Sequence, residues 1–447
     1  MPAATSAPAA PNPVAFATPL AALAALNLFL SDVRDGLGPF LGVFLQEKHW
    51  SPSEIGLVMT IGGLAGMIAT MPMGALVDAS RAKRAIIVAG SAVVIIASFA
   101  ILLFPNFPTV ALAQAVNGIA AAVLLPAIAG LTLGLVGPAG FDHQLGVNEA
   151  FNHAGNILAA VLAGVLGWWL GLPAVFALMA GMAFFAAISV LMIPADAIDH
   201  EAARGAASKT EHPAARGGTA QAEGGAKDGA SKPGREGILA LLREPALITA
   251  AITFGLFHLG NGAMLPLFGQ AMVARAGVDP SAFTALTVVV AQATMIPMAL
   301  LAAKLAQRQG YRLVLLLALA ALPVRGVIAA AAVHYDVYWG VIPVQMLDGV
   351  GAGLLGVATP GVTARILKGS GRFNLGLGFV MTAQGIGASF STLLGGGVAQ
   401  GFGYPAAFLV LGGVAALAAG AYLIGGCPGG SEGGPETAEA GPDRATA

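Results

Sequence analysis

Twelve stretches of about 20 predominantly apolar residues follow one another along this chain, and no other feature limits its fold so strongly. They fall near residues 18–45, 54–77, 85–104, 109–136, 144–171, 173–193, 245–274, 281–303, 312–333, 339–366, 373–400 and 405–425. A soluble domain would need a well-charged surface to carry so many apolar runs. Only 10% of the residues are charged, against roughly a quarter in soluble domains. Lipid is therefore the expected solvent. Inside a bilayer every backbone N–H and C=O must be bonded within the protein, which leaves helices or closed barrels. The runs are rich in Ala, Leu and Gly and lack the apolar–polar alternation of barrel strands. The sequence predicts an all-α membrane protein of about 12 transmembrane helices.

Between the sixth and seventh runs the composition changes. ADAIDHEAARGAASKTEHPAARGGTAQAEGGAKDGASKPGREG is Gly/Ala-rich, mixed in charge and nearly free of large apolar residues, which predicts a disordered linker. The tail GGSEGGPETAEAGPDRATA reads the same way. The expected organisation is a disordered N-terminus (1–17), a six-helix half (18–193), a cytoplasmic linker (194–244), a second six-helix half (245–425) and a disordered tail (426–447). The first basic residue, Arg34, lies inside the first run, unlike the charged start of a cleaved signal peptide.

Lysines and arginines set the orientation. With the N-terminus inside, the inner loops and helix ends hold Arg81, Lys83 and Arg84, seven residues from Arg204 to Arg243, Lys304, Arg308 and Arg312, and Arg365, Lys368 and Arg372. Only Lys48 and Arg275 fall outside. Both termini are thus expected in the cytoplasm, and the protein in the cytoplasmic membrane as a multi-pass chain. The formal net charge of −1 points to no nucleic-acid partner, and the single cysteine, Cys427, excludes an intrachain disulfide or a thiolate metal cluster.

The chain also repeats itself. The pattern G146…N152..G155…G164…G171.P173A.F176 recurs 232 residues later as G378…Q384..G387…G396…G403.P405A.F408. QAVNG (114–118) recurs as QMLDG (345–349), and MPMGAL (71–76) as IPMALL (296–301), at shifts of 231 and 225. On the same register Asp32, Asp35 and Gly36 answer to His258, Asn261 and Gly262. Two parallel six-helix halves are the simplest account.

Polar residues inside the runs are the candidate site. In GVNEAFNHAGN (146–156), Asn148, Asn152 and Asn156 lie four apart and form one helical stripe, with Glu149 and His153 on the neighbouring one. On a lipid face a charged group at depth costs ~3 kcal/mol, so the stripe must face protein or water. The asparagines fit either helix-to-helix hydrogen bonding or solute contact, whereas Glu149 and His153 favour a functional pathway.

With its twelve runs and internal repeat, the chain resembles the major facilitator superfamily over essentially its whole ordered length. The sharpest residue match is GALVDASRAKR (74–84), similar to the family's loop G-x-L-x-D-R-x-G-R-K/R-R. Gly74, Leu76, Asp78, Lys83 and Arg84 fit, while Ala79, Arg81 and Ala82 depart from its Arg, Gly and Arg. The resemblance implies a cytoplasmic gate held closed by charge contacts and by the helix approach that glycine allows. Gly74, Asp78, Lys83 and Arg84 would carry that role; an ordinary basic cytoplasmic loop is the plainer alternative. The family's fourth-span R-x-x-Q-G appears as QAVNG, without the arginine linked to proton coupling, and the fifth span lacks the antiporter motif's final Gly-Pro.

In the family, spans one, four, seven and ten line a central cavity. The resemblance and the repeat together set Asp32 across from His258, Asp35 across from Asn261 and Asn117 across from Asp348. Asp32 and Asp35 lie near the expected midplane, three residues apart, so both can face one cavity while Arg34 points sideways. Carboxylates and imidazoles in a partly dry cavity have movable pKa values, as proton coupling requires. Gly36, Gly38, Pro39 and Pro266 would allow bending. Arg325 in span nine has one candidate partner, Asp348. The expected solute and proton pathway is Asp32, Asp35, Asn117, Glu149, Asn152, His153, Asn156, His258, Asn261, Asp348 and Gln384.

The expected function is secondary active transport of a small polar or charged solute by alternating access, coupled to protons. Efflux stands slightly ahead of uptake because exporters are numerous. Two alternatives stay open: a divalent-metal transporter using Asp32, Asp35, His153, His258 and Asp348, and a non-transporting sensor on the same fold. No nucleotide loop, HExxH or GxSxG appears, so neither an enzyme nor a cofactor is expected. The expected partners are a small-molecule solute, protons and the lipid bilayer, with the protein a monomer and no nucleic acid.

Overall fold

Each apolar run becomes helix in the computed structural model, which describes residues 18–35, 37–204, 241, 243–367 and 373–425. Thirteen α-helices and no strands are found among the described residues. In the first half they are α1 (Pro19–Asp35), α2 (Gly38–Glu47), α3 (Pro52–Ala79), α4 (Lys83–Leu103), α5 (Phe107–Leu170) and α6 (Pro173–Leu191). In the second they are α7 (Pro245–Asn261), α8 (Met264–Ala276), α9 (Pro280–Gln309), α10 (Tyr311–His334), α11 (Val341–Ile366), α12 (Phe373–Phe402) and α13 (Tyr404–Gly425).

Among the described residues eleven segments are long and apolar enough to cross a membrane, and the chain is a multi-pass membrane protein. α5 holds two of them, Phe107–Gly137 and His143–Leu170, divided where Gly137 takes φ 67° and ψ 176°. The first run is broken into α1 and α2. Leu37 there has φ 68°, a left-handed conformation costly for a residue with a Cβ. The seventh run breaks between Asn261 and Met264, 226 residues after the break between Asp35 and Gly38. Pro266 contributes to the second break, because it cannot donate to the carbonyl of Gly262.

The repeat reappears in the packing. A Cβ at Gly155 would collide with the carbonyl of Leu28 on α1, and one at Gly387 with the carbonyl of Gly255 on α7. Likewise Gly118 lies against the carbonyl of Gly62 on α3, and Gly349 against that of Ala291 on α9. Helices in lipid gain little from apolar burial against one another, so close backbone approach at small residues carries their association. Large apolar side chains stay exposed, Trp169 by 71% and Ile424 by 90%, an exposure that suits lipid and not water.

Two compact units emerge. The first takes its described residues from 18–50, 61–204 and 279–289, the second from 51–60, 241–278, 290–367 and 373–425. Residues 51–60 at the start of α3 belong to the second unit, and residues 279–289 at the start of α9 to the first. Inside the second unit Thr60 Oγ1 lies 2.8 Å from the carbonyl oxygen of Ser389 and 2.9 Å from Thr392 Oγ1. Inside the first, Gly164 and Gly167 of α5 receive Ala285 and Ser281 of α9.

The first residues of the expected disordered linker, 195–204, are packed against the helices. After α6 the chain turns back, and a 3-10 turn at Ala202–Arg204 packs on α5. Asp199 N–H donates to Gly134 O at 2.9 Å, its carboxylate accepts from the N–H groups of Glu201 and Ala202, and Ile198, Ala202 and Ala203 are buried. Residues 205–240 of the expected linker, and the termini 1–17 and 426–447, lie outside the described residues.

Candidate polar site and gate loop

Helix geometry divides the polar stripe of GVNEAFNHAGN. Asn148 is buried: its amide donates to Thr132 Oγ1 at 2.9 Å and its oxygen accepts from Gln144 Nε2 at 3.0 Å. Thr132 can accept because its own proton goes to Ile128 O. Asn148 is therefore satisfied as a tie between the two spans of α5. Asn152 is buried, His153 and Asn156 are half-buried, and Glu149 is exposed.

Asn117 stands apart. It is 8% exposed, its amide reaches Gln114 Oε1 at 3.4 Å, and its oxygen has no partner among the described residues. Asp32 and Asp35 close α1 at the helix break, but their side chains, with that of Arg34, lie outside the described residues.

The second unit gathers a tighter cluster. Asp348 on α11 is buried, with Oδ1 2.9 Å from Nη1 of Arg325 on α10. The same nitrogen donates to Asn261 Oδ1, where α7 ends, and Nη2 donates to Gln345 Oε1 at 3.0 Å. One turn before Asn261, His258 Nδ1 lies 2.9 Å from Phe254 O, which can only accept. That ring nitrogen carries a proton, and in its neutral form the ring presents Nε2 as an acceptor. Gln384, the repeat mate of Asn152, donates to Thr359 Oγ1 at 3.1 Å and ties α12 to α11. Sequence reasoning paired Arg325 with Asp348 and passed over Gln345, although QMLDG as the copy of QAVNG was the signal that marks it.

The gate loop divides too. Lys83 is buried and donates to Val77 O and Ser80 O, satisfying carbonyls at the end of α3 and complementing its dipole. Arg84 reaches Leu191 O at 3.4 Å. Both are fastened within the first unit. Asp78 is exposed, and among the described residues nothing lies within 4 Å of where a Gly74 Cβ would stand.

Outside the helices, Arg275 Nε donates to Asp336 Oδ1 at 2.9 Å, and this bond holds the exposed Asp336 carboxyl below its ordinary pKa. An apolar groove of about 340 Å³ in the first unit, lined by Val161, Gly164, Val165, Trp168, Ala285 and Leu286 among others, offers no side-chain polar group beyond the Trp168 indole to hold a polar solute.

Comparison with known proteins agrees with this architecture. The Major Facilitator Superfamily profile matches residues 20–342 and again 277–444. Two uncharacterized MFS-type transporters of Mycobacterium tuberculosis, from strains CDC 1551 / Oshkosh and ATCC 25618 / H37Rv, are each 40% identical over 404 residues, covering 90% of this chain and 92% of the relative. Among solved structures, the nucleoside transporter NupG superposes with a TM-score of 0.71 at 15% identity, over 92% of this chain and 99% of that one. A bacterial homologue of the human lysosomal transporter Spinster, inward-facing and occupied, gives 0.63 at 13% identity, over 91% and 96%.

Proposed function

This chain belongs to the Major Facilitator Superfamily, and on that premise we propose that it is a proton-coupled secondary transporter of a small polar solute across the cytoplasmic membrane. The observation that supports the solute class is Asn117. A buried carbonyl without a partner costs about 1–3 kcal/mol, so a solute that donates a hydrogen bond there is favoured. Asn152, Asn156, His258, Asn261, Asp348 and Gln384 are proposed solute contacts, with Glu149 and His153 at a gate or proton entry. Asp32 and Asp35 are the proposed proton carriers, from their expected depth in the membrane. Efflux is preferred to uptake only on the abundance of exporters. The metal-transport alternative gains no support among the described residues, where no three His, Cys, Asp or Glu side chains cluster.

Counterflow identifies the solute. Purified protein in liposomes preloaded with nucleosides, sugars, amino acids or amines in turn is offered the same labelled compound outside. Nucleosides come first because the structural neighbour NupG is a nucleoside transporter. One class should exchange, and Asn117→Ala should weaken that exchange while the protein stays folded. A folded protein that exchanges none of them, in either orientation, contradicts the proposal.

A further inference from the structure

Arg325 is the largest side chain in the protein with no exposure among the described residues, and it sits in the middle of an apolar helix. A guanidinium does not shed its charge, so its burial is tolerable only beside an anion and several acceptors. Both are present. Nη1 faces Asp348 and Asn261, and Nη2 faces Gln345, so one side chain on α10 fastens α7 and α11 at once.

The internal repeat supplies a control. In QAVNG the mate of Asp348 is Asn117, and α4, the mate of α10, has no charged residue between Ala85 and Leu103. Acid and base are present together in the second repeat and absent together in the first.

We propose that Arg325 is a positioning residue that keeps Asp348 ionised and so withdraws it from the proton path. This rests on the transporter reading and deepens it: a coupling proton is carried on another group than Asp348. Arg325 Nε and Gln345 Nε2 already lack a hydrogen-bond acceptor among the described residues, and Asp348 Oδ1 meets Nη1 as an ion pair without a hydrogen bond. A proton on Asp348 would add one more donor and leave the buried cation without a counter-ion. Few other ionisable groups are placed to intervene. Of the elements packed on α11, α12 has none, α7 has His258, α9 has Lys304 and Arg308 in its last two turns, α10 has Tyr311, Arg312 and His334 only at its ends, and the 3-10 turn before α11 (Tyr338–Gly340) has Tyr338. On α11 itself the remaining one is Arg365, near its end.

Infrared difference spectra of the purified protein in liposomes, between alkaline and acidic buffer, read buried carboxyl groups directly and need no solute. The wild type and Asp348→Asn should show the same carboxyl bands. Arg325→Met should gain a band that Arg325→Met/Asp348→Asn lacks. A wild-type band that disappears in Asp348→Asn would overturn the proposal, as would an Arg325→Met spectrum identical to wild type. Should Arg325→Met not fold, Asp348→Glu decides: it must leave every wild-type carboxyl band in place, and a displaced band overturns the proposal. Because protonation is read without transport, failure here is distinct from failure of the transporter reading.

Discussion

Asn148 and Asn117 are both amides inside apolar helices of one unit, and their surroundings give them different work. Asn148 has a donor and an acceptor in place, Gln144 and Thr132, so its removal should cost stability. Interhelical hydrogen bonds in membranes average about 0.6 kcal/mol with a maximum near 1.7, and Asn148→Ala should fall at about 1 kcal/mol in a steric-trapping unfolding assay. Asn117→Ala should be neutral there or slightly stabilising, since it removes an unpartnered buried oxygen. Equal losses for both would mean that Asn117 is also a structural tie. Four-residue spacing made the asparagine stripe legible in the sequence. It could not separate tie from contact, because that depends on Thr132, sixteen residues away. The Arg325 cluster was half legible: a lone intramembrane arginine demands an acid, but not the two amides that share it.

At the scale of elements, the helix crossings rest on glycine. Gly155→Val and Gly387→Val would push a side chain into the backbone of α1 and α7, and each should cost about 3 kcal/mol or more. The folded, monodisperse fraction on detergent size-exclusion chromatography should collapse for both. Gly74→Val should leave that fraction intact, since open space surrounds the position. If the loop closes a gate elsewhere in the cycle, the same variant should slow transport, and unchanged transport would reduce GALVDASRAKR to a basic loop. The breaks after Asp35 and Asn261 were legible from Gly36, Gly38, Pro39 and Pro266, because glycine and proline act locally. The packed turn at 195–204 was not. Its contacts come from Ile198 and two alanines, too few apolar residues to register as a pattern against Gly130 and Gly134.

For the whole molecule, family and helix content followed from hydropathy and the repeat, both long-range properties that survive local error. The placing of residues 51–60 in the second unit and 279–289 in the first did not follow, because it depends on which glycine meets which serine or threonine. Orientation rests on charge. Cysteines placed between residues 205 and 240 in a Cys427→Ser background should label only from the cytoplasmic side, and labelling from outside would reverse the topology. The central claim is that a proton gradient moves a polar solute through this protein. Flux into proteoliposomes with and without an imposed pH gradient, using the solute found by counterflow, tests it most directly. The account predicts accumulation above equilibrium only with the gradient, lost in Asp32→Asn or Asp35→Asn while gradient-free exchange survives. Accumulation indifferent to pH, or undiminished in both variants and their double, would contradict it.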